Sequence, residues 1–325
     1  MSSLFYFKFK AMGSPCELQI DSLSKIKAER VYLLVRARVE ELEARYSRFR
    51  TDSLISHINQ AAGSRNKIAI DEETVSLLNY AQQCYTESDG LFDITSGILR
   101  KVWNFQAQKN LTQVESSTTK ESSTTKYESS TTKEPSRQLI QKQIDQLLPF
   151  VNWLNVIWDK QSILLLKTGM ELDFGGIVKE YAADCIKELC LSEGIQNGYI
   201  NMGGDICIIG SLADGSGWPI AIQHPENRKA TLGTFKLKKG GLASSGDYER
   251  FIMINKKRYS HVINPKTGWP VTGLKSVSIT AEHCIIAGSL ATIAMLKGKQ
   301  GVTWLKETGA NYLCCTDDGK THHNY

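Results

Sequence analysis

The sequence predicts an α+β fold, a helical part packed on a largely antiparallel, β-rich part. Two patterns predict it: long amphipathic helices dominate the first third, and short strand-like runs separated by turn residues crowd the region after Pro149. Composition agrees, since 41% hydrophobic against 22% charged residues in a 325-residue chain supplies a substantial core.

Phe5 to Ile20 alternates like a strand pair and breaks at Gly13-Ser14-Pro15. A helix capped by Ser24 follows, its buried stripe Ala28, Val31, Leu34, Val35, Val39, Leu42 and Tyr46. A short helix spans Leu54 to Asn59. A long one spans Asp71 to Ser88, with acidic residues in its first turn and Val75, Leu77, Leu78, Ala81 and Cys84 inward. Three ESSTTK copies, Glu115–Lys120, Glu121–Lys126 and Glu128–Lys133, then interrupt the pattern. With Tyr127 the single large apolar side chain among them, they cannot offset the entropy of ordering. Residues 112–137 are therefore expected as a disordered insertion in a single unit spanning 1–325.

Strands are expected at Asn155–Trp158, Ser162–Leu166, Gly198–Asn201, Ile206–Ile209, Trp218–Gln223, Thr231–Leu237, Leu242–Ser244, Phe251–Ile254, Val277–Thr280 and Asn311–Cys315. Helices are expected at Gly176–Leu191 and Ile285–Leu296.

A formal charge of +5 is far below the basic stripe that nucleic acid requires, so a phosphate ligand should be small. Cys16, Cys84, Cys185, Cys190, Cys207, Cys284, Cys314 and Cys315 form no C-x-x-C pair, and the vicinal 314–315 pair cannot close an ordinary bridge. Reduced thiols and a cytoplasmic location are expected. No eighteen-residue apolar run is present, so membrane insertion is not.

Five glycine- or polar-rich clusters interrupt the apolar pattern. Ala11-Met-Gly-Ser14 reads alone as a β-turn. In Gly90-Leu-Phe-Asp-Ile-Thr-Ser-Gly97, Asp93 could simply cap a following helix. Glu171-Leu-Asp-Phe-Gly-Gly-Ile-Val-Lys-Glu-Tyr181 reads as a strand ending at Asp173 and turning through Gly175-Gly176 into a helix, a geometry suited to an anion. It matches neither G-x-x-x-x-G-K-[ST] nor G-x-G-x-x-G. Asn201-Met-Gly-Gly-Asp205 repeats a Gly-Gly-Asp turn. The fifth joins Ser244–Arg250, containing Ser245, to Tyr259–Gly268. There His261, which on its own would more often be structural, stands at a strand end beside a polar turn where a base could act.

Read in order, AMGS, SRFRTDSLISHIN, GLFDITSG with WNF, LDFGGIVKEYAAD, INMGGDI, ASSGDYERF and YSHVINPKTGWPV resemble the FAD:protein FMN transferases, the ApbE family. The resemblance spans nearly the whole chain outside the ESSTTK insertion. It implies an ApbE-like, T-fold-like architecture with FAD between the two parts. It also implies Mg²⁺ and transfer of FMN to a Ser or Thr hydroxyl of an acceptor flavoprotein, with AMP leaving. Met12, Phe49, Leu91, Phe92, Asp93, Asp173, Lys179 and Ser245 would line the FAD site, Val262 and Ile263 would lie near the flavin or its phosphates, and His261 would be the base.

The family's late helix carries an Asp and, four residues on, a Thr that bind magnesium with a carbonyl of the Gly-Gly turn. Here Thr292 and the Gly176 carbonyl remain while Gly288 holds the Asp position, so weakened metal binding and a gain from Gly288→Asp are expected. Many members carry an export signal or lipid anchor, whereas the motifs here start within a dozen residues of Met1; a cytosolic acceptor is the expectation. Two other functions compete: an FAD-binding protein that has lost transfer, which Gly288 favours, and an FAD diphosphate hydrolase giving FMN and AMP.

Overall fold

The computed structural model describes residues 3–103, 137–248, 250–254 and 257–325. Apart from Arg137, the expected insertion at 112–137 lies outside the described residues.

Strands β1 (Ser3–Ala11) and β2 (Ser14–Ser22) form the first hairpin. Ala11 pairs with Ser14, so Met12-Gly13 is the entire loop, and both have positive φ, 49° and 70°. That is the loop a two-residue hairpin with native strand twist requires. Glycine adopts it readily; Met12 is held there against its preference.

Helix α1 (Lys25–Tyr46) starts at Ser24, whose side chain accepts the Lys27 N–H, and buries the expected stripe except Leu34, which is half-buried. Helix α2 (Leu54–Gln60) is capped by Ser53, and α3 (Glu72–Glu87) by Asp71. Between them runs the two-residue strand β3 (Ile68–Ala69). After α4 (Arg137–Leu147), which the sequence analysis did not anticipate, β4 (Val156–Trp158) and β5 (Ser162–Leu165) join β3 in a small sheet.

Helix α5 (Val178–Ser192) begins two residues later than expected. The strand expected to end at Asp173 reduces to one bridge between Ser96 and Glu171, because this segment lies against the 94–97 loop and no strand pairs with it further. Strands β6 (Gly198–Met202), β7 (Asp205–Gly210), β8 (Trp218–Gln223), β9 (Thr231–Leu237), β10 (Gly240–Gly246), β11 (Phe251–Ile254), β12 (Lys257–Ser260) and β13 (Leu274–Ala281) follow. Helices α6 (Cys284–Lys297) and α7 (Gly301–Thr308) precede β14 (Asn311–Thr316) and β15 (Thr321–His323).

The main sheet has eight strands, in the order β1-β2-β6-β7-β10-β13-β14-β15, every neighbouring pair antiparallel. Its inner face, including Leu18, Ile200, Cys207 and Val277, packs on α1, α5 and α6 through Val31, Val35, Ala182, Ile186, Ala287 and Ala291. Full burial of each larger aliphatic side chain contributes roughly 1.5–3 kcal/mol. A second cluster of Ile98, Leu99, Trp103, Ile140, Ile144, Ile252 and Ile263 underlies the loop that carries His261. Trp103 packs on Tyr259 and Trp269 there and donates its indole N–H to the Gly268 carbonyl at 2.7 Å.

Helix α6 lacks a side-chain cap of its own. Instead Asp184 of α5 accepts the Cys284 N–H at 2.8 Å and the Ile285 N–H at 2.9 Å. A neighbouring carboxylate thus stabilises the positive end of α6 and fixes the register of the two helices. Among the described residues no helix is long and apolar enough to cross a membrane.

Candidate functional site

His261 follows β12 directly and is held at the base of the β11–β12 hairpin. Its backbone N–H donates to the Arg250 carbonyl at 3.0 Å, and its ring Nδ1 lies 3.1 Å from the same oxygen. Since that carbonyl can only accept, Nδ1 carries the proton and Nε2 the basic lone pair. A two-pronged ion pair from Arg258 to Asp247, 2.8 and 2.7 Å, braces the same hairpin.

Burial, reinforced by the positive charges of Arg250, Arg100 and Lys179, pushes the His261 imidazole down to about 4. It is neutral at pH 7. In the ligand-free protein its Cε1–H resonance should therefore titrate near pH 4 by NMR; a midpoint near 6.5 would refute the burial. Because the unfolded chain takes up this proton near 6.5 and the folded one does not, the histidine makes stability fall as pH drops from about 6.5 towards 4.

The motif 171–181 folds against the 90–97 loop. Asp173 donates its backbone N–H to the Ile94 carbonyl at 2.8 Å and accepts the Gly175 N–H at 2.9 Å through Oδ1. Its other oxygen pairs with Arg100 and lies 3.5 Å from Arg48. Arg48 in turn stacks 4.4 Å from the ring centre of Phe49, which is 64% exposed. An aromatic face and three side chains that sequence reasoning did not single out, Arg48, Arg100 and Arg250, thus belong with the expected residues; their only signal was their place inside SRFRTD and DYER or, for Arg100, just after GLFDITSG.

The expected anion cradle at Gly175-Gly176 is less open than the sequence implied. Gly175 gives its N–H to Asp173, while Ile177 and Val178 give theirs to the Phe174 carbonyl. Attraction for an anion here rests on cationic side chains more than on backbone N–H groups. Phe92 packs at this turn, 3.6 Å from where a Cβ on Gly176 would stand.

Other expected residues take structural places. Asp93 is buried, accepts the Thr95 N–H at 2.8 Å and its hydroxyl at 2.7 Å, and its carboxyl is pushed up by burial. The side chains of Val262 and Ile263 are buried in the two cores, leaving only their backbone to meet a ligand. Leu91 is half-buried beside Phe92. Met12, at its strained turn, stands next to a cleft of about 310 Å³ lined by Gly13, Ser14, Asn201, Gly203, Gly204 and Arg250. The tips of two hairpins meet there: a Cβ on Gly203 would lie 2.6 Å from that of Ser14.

Lys179 points to Asp205 at 2.5 Å, and Asp205 also accepts the Ser244 N–H at 3.3 Å. Ser245 and Thr292 are joined hydroxyl to hydroxyl at 3.0 Å. Glu180, which sequence reasoning passed over, packs against Gly288 one turn before Thr292 and is buried with no hydrogen-bond partner for Oε2. Burial and the neighbouring Asp205 charge raise its carboxyl pKa. Asp247 and Asp173 are both committed to arginines. Among the described residues no three His, Cys, Asp or Glu side chains cluster as a metal site.

A model of the ApbE family matches residues 12–314. A Klebsiella pneumoniae relative named FAD:protein FMN transferase is 26% identical over 296 residues, 90% of this chain and 78% of its own length. One of the same name from Chlamydia muridarum is 28% identical over 270 residues, 81% of this chain and 74% of its own. The crystal structure of the ApbE protein from Thermotoga maritima superposes with a TM-score of 0.83 at 26% identity, covering 99% of this chain and 97% of that one. The flavin transferase ApbE from Vibrio cholerae, 22% identical, shares the fold with a TM-score of 0.82 over 100% of this chain and 98% of its own. From the strained Met12 turn to the last core strand, one family pattern runs through the whole architecture, and the chain belongs to the ApbE family.

Proposed function

We propose that the protein is an FAD:protein FMN transferase that uses Mg²⁺ and moves FMN from FAD to a Ser or Thr hydroxyl of an acceptor flavoprotein, releasing AMP. The observation that supports this most is a neutral histidine set among cations. The base must be unprotonated to act, and Arg250, Arg100 and Lys179 all bear on His261. The same cations suit the diphosphate of FAD.

The acceptor oxygen attacks the phosphorus of the FMN half, the bond from that phosphorus to the oxygen of AMP breaks, and His261 Nε2 takes the hydroxyl proton. Little covalent chemistry falls to the protein, so positioning and charge neutralisation dominate. Met12, Phe49 and Leu91 would contact the ring systems, while Phe92, Asp93, Asp173, Val262 and Ile263 hold the loops around them. Lys179 and Ser245 would face the phosphates.

The donors present suit Mg²⁺: the Gly176 carbonyl, the Thr292 hydroxyl, and a buried carboxylate, Glu180, with an unpartnered oxygen. When bound, the cation would neutralise charge developing on the diphosphate. We place the protein in the cytoplasm, where its eight thiols, all unbridged, would stay reduced.

Purified protein incubated with FAD, Mg²⁺ and an acceptor should yield FMN-bearing acceptor and AMP in equal amounts. FMN and AMP without labelled acceptor would make it a hydrolase, and unchanged FAD a flavin-binding protein. By fluorescence titration FAD should bind at least about tenfold tighter than riboflavin, since charged contacts to phosphate exceed about 1.4 kcal/mol. Equal affinities would sink the phosphate assignment.

A further inference from the structure

Gly288 lies inside α6, one turn before Thr292, where glycine is about 1 kcal/mol worse than alanine. The reason for it is on the neighbouring helix. A Cβ built at 288 would fall 2.5 Å from Glu180 Cγ, 3.0 Å from Cδ and 3.2 Å from Oε1. The Glu180 side chain thus occupies the space that any side chain at 288 would need.

Asp184 capping Cys284 and Ile285 fixes this register. One turn back along α5 is Glu180; one turn forward along α6 is Gly288; the next turn of α6 is Thr292. We infer that Glu180 is the cation-binding carboxylate of this protein, delivered from α5 into the gap left by Gly288, and that it holds a divalent metal together with the Thr292 hydroxyl.

Charge balance supports the assignment. Lys179 pairs with Asp205, so the group Lys179, Glu180 and Asp205 holds two carboxyls against one ammonium. The second carboxyl, Glu180, is 8% exposed, with one oxygen lacking any hydrogen-bond partner. A buried carboxylate in that condition is unfavourable unless a cation or proton joins it. The donors offered are all oxygens, one of them anionic, which suits magnesium or manganese and not a soft metal. Gly288→Asp is therefore not expected to repair the site, because the new side chain would have to displace Glu180.

The inference deepens the proposed transferase site, and its test is direct metal binding. Mn²⁺ binding is followed by electron paramagnetic resonance, with and without saturating FAD. Glu180→Gln keeps the volume and removes the charge, and should weaken Mn²⁺ binding about tenfold or more. Gly288→Asp alone should lower the melting temperature and bind Mn²⁺ no better than the native protein. The exchange Glu180→Gly with Gly288→Asp should recover Mn²⁺ affinity relative to Glu180→Gly alone, a coupling expected only of side chains sharing one space. Native-like Mn²⁺ binding by Glu180→Gln would overturn the inference. So would a folded exchange variant without recovery, or native protein with no bound Mn²⁺ in either condition. Mn²⁺ binding that depends on Glu180 in a protein giving no FMN transfer would leave this inference standing and remove the transferase reading instead.

Discussion

If His261 is the base, His261→Ala should lower the single-turnover rate of FMN transfer by about a hundredfold or more, the range lost when a positioned base is removed. FAD affinity should change by less than about threefold, because the base acts on the acceptor proton in the transition state and adds little to ground-state binding. The structure sharpens this expectation. The ring is fixed by the Arg250 carbonyl, and burial and nearby cations favour its neutral form. Removing the imidazole leaves the neighbouring cations in place, so binding of the diphosphate should persist if those cations hold it. A variant with full turnover would exclude His261 as base. One that loses FAD binding while retaining the catalytic rate at saturation would make it a ligand contact.

The elements with clear periodicity were legible in the sequence. The α1 stripe, the Ser24 and Asp71 caps, and the strands around Gly203-Gly204 fall where alternation and cap residues put them. The 171–173 strand was misread because an apolar alternating run looks the same whether it pairs with a neighbour or lies against a loop; only tertiary contact with Ile94 and Ser96 decides. Likewise α5 starts at Val178, after a turn over residues 175–177 in which the Gly175 N–H is taken by the Asp173 side chain.

The site was legible as a set of motifs and not as a set of contacts. Polar and glycine-rich stretches mark the loops, and the family resemblance singled out His261, Asp173 and Lys179 within them. Partner choice is invisible at that level. Nothing in one dimension distinguishes Asp93, which ties its own loop, from Asp173, which holds two arginines. Nor could it reveal that residues 180 and 288, over a hundred positions apart, compete for one volume. A glycine in a helix interior was the one local irregularity pointing to that contact.

Asp173→Ala should have the largest effect on stability. Its side chain is 9% exposed, and it faces Arg100 and Arg48 while also holding the Gly175 N–H. Its loss leaves two guanidinium groups side by side without their shared counter-charge. Breaking a fully buried pair costs about 3–5 kcal/mol; Arg100 is about one-third exposed, so water recovers part of this, and about 3 kcal/mol is expected. For a chain of this size the melting temperature should fall by about 6 °C. Asp173→Asn separates the two roles, because the amide oxygen can still accept the Gly175 N–H while the charge is gone. If the carboxylate serves the arginines, Asn should lose most of what Ala loses in stability and keep FAD affinity closer to native, because the turn before α5 stays formed. Should Asn match the native protein in melting temperature yet bind FAD as poorly as Ala, Asp173 would be a direct ligand contact, and the arginines would have to be held by other means.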